Sequence, residues 1–171
     1  VAALKPFCTG HREDAIRLWK EAESGLSLDE VNPYYYRKAL APINAGKPTN
    51  KVTLAGVLRH IATVSQGYDI TVIEGVGGIH VPLQKGLILA DIIEKLECEL
   101  VVVGRNALGT LNHTLLTVLE LKRRGKRINH IVLSDFFLTD ASRKSNRKTL
   151  MQCLPGERIA IAPKMTDWPE M

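Results

Sequence analysis

The sequence predicts an α/β fold with a mostly parallel sheet flanked by helices, and two observations carry that expectation. Apolar runs of strand length alternate with segments of helical period. One such run, within residues 68–83 (YDITVIEGVGGIHVPL), ends in a single carboxylate, Glu74, followed by Gly75, Gly77 and Gly78. The stretch Ile70, Thr71, Val72, Ile73 suits a strand covered on both faces. Such a strand delivers its terminal acid to the carboxyl edge of the sheet, where open α/β sheets bind ligands, and glycines there let the backbone turn beside one. A carboxylate so placed can hold a divalent cation on a nucleotide phosphate; the plain alternative is a solvated glutamate in a turn.

The elements follow in order. Val1, Ala2, Ala3 and Leu4 read as a strand already under way over residues 1–5, with no initiator methionine and no signal-peptide pattern, so the expectation is a chain lacking its start. A loop, PFCTGHRED, leads to a helix near Asp14, which serves either as its N-cap or as a ligand pointing back to the strand end. Residues 24–46, rich in turn formers and tyrosines, read as an ordered surface excursion. Val52, Leu54, Val57, Leu58, Ile61 and Val64 form one face of a helix over residues 51–66, with His60 on the solvated side. After the Glu74 strand come helices near 88–96, 111–124 and 141–154, and strands near 100–103, 128–133 and 159–162.

Composition narrows the class. The 171 residues fit one domain, with 45% hydrophobic and 24% charged residues and no apolar run near the ~20 residues that cross a bilayer. Cys8, Cys98 and Cys153 are widely spaced with no CxxC pair, which argues against a disulfide framework or zinc site and fits the cytoplasm. The net charge of +5 gathers in Lys122, Arg123, Arg124, Lys126, Arg127 and in Arg143, Lys144, Arg147, Lys148. The first cluster complements a helix carboxyl end and the second reads as a solvated helix face, so no nucleic-acid partner and no membrane are expected.

Further strand and helix ends carry chemistry. Lys5 precedes Pro6 at a strand end, where an ammonium suits phosphate or carbamate oxygens, and the hydroxyl of Thr9 follows. An exposed surface lysine is the alternative. Residues 108–114, LGTLNHT, put Gly109, Thr110, Leu111 and Asn112 at a helix start whose free N–H groups suit a phosphate or a carboxylate; an ordinary cap by Thr110 or Asn112 is the other reading. His113 reads as structural, inside the first turn.

KPFCTGHREDA, VNPYYY with LAP following, VIEGVGGIHVPL and ALGTLNHTLLT occur in an order and at spacings that resemble dethiobiotin synthetases, the ATP-dependent carboxylases of biotin biosynthesis. The resemblance spans Lys5 to about Asp135. It implies a P-loop NTPase-like three-layer α/β/α fold, and an enzyme that converts 7,8-diaminopelargonate, CO2 and ATP into dethiobiotin, ADP and phosphate. In residue terms it implies that Lys5 steadies carbamate and phosphate oxygens and that Thr9 lies beside the diamine. Asp14 and Glu74 would help hold Mg2+, with Gly75, Gly77, Gly78, Val81 and Pro82 lining the nucleotide and diamine pocket. Gly109, Thr110, Leu111 and Asn112 would receive the substrate carboxylate across the interface of a homodimer. Ala162 and Pro163 would pack against the adenine.

Two departures accompany the resemblance. The family opens with a strand and a GxxxxxGK[ST] phosphate loop, about thirty residues on the usual length of a βα unit, and this chain contains none. The expectation is therefore a single domain over residues 1–171 without that first strand and loop, leaving strand edges and apolar surface exposed. Family members also often carry an asparagine that hydrogen-bonds the base where this chain has Ser134, which offers no bidentate pattern and predicts weak discrimination among nucleoside triphosphates. Two alternatives stand beside the synthetase: a degenerate, non-catalytic homologue that binds a carboxylate ligand or partner, and the ATPase domain of a corrin-biosynthesis synthetase.

Overall fold

Short apolar segments make the first strands. β1 (Ala2–Leu4) is wholly buried, and after Lys5 and Pro6 the chain re-enters a strand as β2 (Phe7–Thr9). The structure, a computed structural model, describes residues 1–135 and 140–164. It divides into two units, Val1–Leu96 and Glu97–Met171.

In the first unit, β2 is followed by α1 (Glu13–Ala22), α2 (Leu28–Val31), β3 (Tyr34–Tyr36), a 3-10 turn at Pro42–Asn44 and α3 (Leu54–Ser65). Then come β4 (Thr71–Ile73), a hairpin of β5 (Pro82–Gln84) and β6 (Leu87–Ile88), and α4 (Leu89–Lys95). β1 runs parallel to β4, with Leu4 opposite Ile73, and β2 runs parallel to β3, with Phe7 opposite Tyr34 and Thr9 opposite Tyr36. The core joins Leu4, Phe7, Tyr34, Tyr36, Val57, Ile61 and Leu83, and the Phe7 and Tyr34 rings stack with centroids 5.1 Å apart. Each such side chain taken out of water stabilises the fold by about 1.5–3 kcal/mol. Local chemistry sets the helix starts: Ser27 and Glu30 form a reciprocal capping box on α2, and Thr53 Oγ1 accepts from the N–H of Gly56 at 3.0 Å to open α3.

Three expectations need correction in this unit. Residues 24–46 are not merely an excursion, because they hold α2 and β3. Tyr34 and Tyr36 alternate into the core while Tyr35 faces outward, the period of a strand. The segment read as the loop PFCTGHRED contains β2, which exists because β3 pairs with it. β4 is not covered on both faces: Ile70 and Val72 remain 57% and 52% exposed, and β1 alone pairs with it among the described residues.

The second unit alternates β7 (Val101–Arg105), α5 (Thr110–Arg123), β8 (His130–Asp135), α6 (Arg143–Cys153) and β9 (Ile159–Pro163). Its sheet is parallel throughout, in the order β7-β8-β9, and the central strand buries Ile131 and Leu133 completely. From the helices Val118, Leu121 and Leu150 close the core, while Val101 and Val103 on the outer strand stay exposed. The first basic cluster does end a helix, with Lys122 and Arg123 in the last turn of α5. The second is not simply a solvated face. Arg143 pairs with Asp135, and Arg147 Nε donates to the carbonyl of Ile159 at 2.8 Å, tying α6 to β8 and β9. Among the described residues no helix is long and apolar enough to cross a membrane.

Leu4 and Thr53 separate core burial from capping. In urea unfolding Leu4→Ala should cost about 2–5 kcal/mol and Thr53→Ala about 0.5–2 kcal/mol; a larger loss for the cap would contradict the placement of the core. Glu120 accepts from Arg123 and Arg124 at 2.7 Å, and these hydrogen bonds hold its carboxyl at about 2, below the ordinary 4.5. A depressed carboxylate contributes stability that is present above pH 4.5 and is lost as pH falls through about 2. A carboxyl NMR titration should show this low midpoint and its rise toward 4.5 in Arg123→Ala/Arg124→Ala.

Candidate active site

The register of two strands builds the site. Leu4 faces Ile73, and the N–H of Glu74 donates to the carbonyl of Leu4 at 2.8 Å, extending the ladder one step past β4. Lys5 and Glu74 therefore leave the sheet side by side, and Lys5 Nζ donates to Glu74 Oε1 at 2.5 Å. Asp14, in the first turn of α1, brings Oδ2 to 3.3 Å from the same ammonium. Lys5 is not the exposed surface lysine of the alternative reading: its side chain is 6% exposed, whereas those of Asp14 and Glu74 are 66% and 49% exposed. A buried ammonium is tolerable when paired, and here two carboxylates meet one cation, leaving an excess negative charge at an open face. Asp14 is not the N-cap of α1; Arg12 holds that position, and the Asp14 carboxylate points toward the strand end at Lys5.

Magnesium fits this donor set. It takes one or two carboxylates and completes its octahedral shell with water and substrate phosphates, so an all-protein cage is not needed. The two carboxylates stand alone in that respect: among the described residues no group of three or more His, Cys, Asp or Glu gathers as a metal site.

Arg12 and Asn32 were invisible as site residues in the sequence. Asn32 is fully buried, and its amide donates to the carbonyls of Lys5 at 2.7 Å and Pro6 at 3.3 Å while its Oδ1 accepts from Arg12 Nε at 2.9 Å. Arg12 also donates to the Asn32 carbonyl at 3.0 Å and lies 4.8 Å from the centre of the Tyr35 ring. One amide thus ties the backbone carrying Lys5 to the start of the helix carrying Asp14. The order of VNPYYY was the available signal, but only the fold shows what its asparagine touches. Burial pushes the Cys8 thiol up against the opposing pull of Lys5, and Cys8 Sγ donates to the His11 carbonyl at 3.3 Å, so the thiol is a packed, protonated group.

The glycine turn after Glu74 is closely packed. Gly77 has φ +60°, and a Cβ there would stand 2.9 Å from Val81 Cγ2; one on Gly75 would meet Leu89 at 3.0 Å. The N–H of Val81 donates to Gly78 and that of Leu89 to Val81, so Gly78, Val81 and the Pro82 strand start fold back onto the beginning of α4. Thr9 ends β2 opposite Tyr36. His60, expected on a solvated face, bonds the Glu30 carbonyl through Nε2 at 2.7 Å.

The remaining predicted residues lie in the second unit. Gly109, φ +92°, precedes α5, and no side chain caps that helix, so the cap by Thr110 or Asn112 is not formed. Thr110 is instead buried beside Thr114, both hydroxyls 3.2 Å from where a Cβ of Gly104 would lie, while Leu111 is half-buried, Asn112 is exposed and the His113 ring lies against Gly109. Ser134 stands opposite Ala162, and Asp135 opposite Pro163. A buried network missed in the sequence supports this edge. Asn106 Nδ2 donates to Asp135 Oδ1 at 3.1 Å and Asn146 Nδ2 to Asn106 Oδ1 at 3.0 Å, while the Arg143 guanidinium holds the Asp135 carboxyl below its usual range. The terminal MTDWPEM lies outside the described residues.

A family described as an AAA domain matches residues 1–170, which places the chain in that class. Similar proteins include the ATP-dependent dethiobiotin synthetase BioD of Endomicrobium trichonymphae, 38% identical over 77% of this chain and 63% of its own length. That of Bacillus subtilis (strain 168) is 30% identical over 98% of this chain and 75% of its own, and that of Methanocaldococcus jannaschii 35% identical over 83% and 68%. The chain belongs to the ATP-dependent dethiobiotin synthetase family. It spans 63% of the first of these relatives, less than two thirds of that protein.

Asn32→Ala would strip partners from two carbonyls and from Arg12, at a cost of about 1–3 kcal/mol for the buried groups left unpaired. Thermal unfolding of the variant should show that loss; an unchanged midpoint would remove Asn32 from the scaffold of the site.

Proposed function

We propose that this chain carries the diamine-activating and metal-holding residues of an ATP-dependent synthetase that carboxylates 7,8-diaminopelargonate and closes it to dethiobiotin. The single observation that supports this most is the convergence of a buried ammonium, Lys5, with two open carboxylates, Asp14 and Glu74, at the ends of paired parallel strands. The reaction needs little covalent help from protein. One amine of the substrate takes CO2 to become a carbamate, the carbamate takes the γ-phosphoryl group of ATP as a mixed anhydride, and the second amine displaces phosphate to form the cyclic urea. Positioning and charge neutralisation are the protein's part.

In this reading Lys5 meets the negative charge that gathers on carbamate and transferring phosphoryl oxygens, and Thr9 lies beside the diamine. Asp14 and Glu74 hold Mg2+, which when bound neutralises phosphate charge. The turn through Gly75, Gly77, Gly78, Val81 and Pro82 lines the pocket, and Ser134, Ala162 and Pro163 face the base. The uncapped start of α5, Gly109 to Asn112, supports capture of the substrate carboxylate by backbone N–H groups. A homodimer in the cytoplasm, with this helix start serving the partner's substrate, completes the proposal. The reading also needs a phosphate-binding loop, which these 171 residues do not contain.

Calorimetric titration of the chain with 7,8-diaminopelargonate, with and without Mg-ATP, tests the assignment. Saturable diamine binding that weakens about tenfold in Asn112→Ala, a change of about 1.4 kcal/mol, is expected. No binding by the folded chain would favour a non-catalytic homologue instead.

A further inference from the structure

A cavity of about 540 Å3 opens in the first unit at the carboxyl end of β3, and the chemistry above makes no use of it. Its volume falls within the range of about 300–1,000 Å3 typical of small-molecule sites. The floor is apolar: Leu83 and Val52 are 1% and 6% exposed, and Tyr36 is 2% exposed. Three ammonium groups, Lys47, Lys51 and Lys85, line the cavity, and no carboxylate lies among its lining residues. None of the three has an ion-pair partner among the described residues, in contrast to Lys5, Lys95 and Lys122. The Tyr36 hydroxyl makes no hydrogen bond among the described residues, although the residue is almost wholly buried. Burial pushes its phenol up, so it keeps its proton and offers a donor to the cavity.

An unpaired cationic rim, a phenol donor open to the cavity and an apolar floor together describe one ligand chemistry. We propose that this cavity is a second ligand site, which binds a small organic anion whose carboxylate or phosphate headgroup is carried on an apolar body. The headgroup meets the lysines and the Tyr36 hydroxyl, and the body covers Leu83 and Val52. Uniform positive charge without countercharge draws anions into such a concavity and discriminates against cations. This site does not depend on the synthetase reading, because it uses neither Lys5 nor the two carboxylates.

The test is a two-dimensional 1H–15N NMR titration of the chain with octanoate, octyl phosphate and octanol. Either anion should give saturable shifts at Tyr36, Lys47, Lys51, Val52 and Leu83, and the uncharged octanol should bind more weakly. Lys47→Ala/Lys51→Ala/Lys85→Ala, which alters only exposed side chains, should weaken the anion about tenfold. Tyr36→Phe keeps the ring in the core and should weaken it by a smaller factor. The proposal is overturned if octanol binds as tightly as the anions, if the triple variant binds with unchanged affinity, or if the shifts centre on Lys5, Thr9 and Glu74.

Discussion

The parallel pairing of β1 with β4 is the constraint on which the candidate site depends. Each strand has three residues, and their register sets Ala2 opposite Thr71, Ala3 opposite Val72 and Leu4 opposite Ile73. From that register the next residues, Lys5 and Glu74, emerge together at the same edge, close enough for a 2.5 Å hydrogen bond. A slip of one residue would send one side chain to the opposite face and break the pair, and the burial of Ala2, Ala3 and Leu4 opposes such a slip. The helices then orient around that edge. Asp14 reaches the ammonium because Arg12, at the head of its helix, is held by Asn32, which also holds the backbone of Lys5.

The arginines and lysines divide by use. Arg12, Arg123, Arg124 and Arg143 each serve as a planar donor fork toward a carboxylate or carbonyl within the fold, the task for which guanidinium geometry is suited. The two basic clusters are in good part such internal ties.

Much of this architecture was legible in the sequence, for identifiable reasons. Helical periodicity in Val57 and Ile61, β-branched runs at Ile131 and Val132, and the acid followed by glycines at 74–78 are local signals that the tertiary structure reinforces. Lys5, Asp14 and Glu74 were legible as separate strand-end or helix-start candidates, and the family resemblance joined them. Two kinds of feature were not legible. β2 and β3 are three-residue strands that exist through each other, so neither carries enough periodicity to announce itself amid turn formers. Asn32, Asn106 and Asn146 are buried amides whose meaning lies chiefly in partners 20 to 40 residues away, a separation that no local pattern encodes.

The separation of Lys5 from Glu74 by 69 residues also places the site in time. A chain made from its amino end exposes Ala2, Ala3 and Leu4 before their partner strand, which arrives only after α1, α2, β3 and α3 have been synthesised. Closing so long a loop costs entropy before any contact repays it, which weighs against early pairing of these two strands. Until residue 74 is made, the ammonium of Lys5 has no carboxylate from the end of β4 to meet. The electrostatic character of the site arises with the closing of the fold, and a nascent chain stalled before residue 74 would hold the lysine without its principal counter-charge.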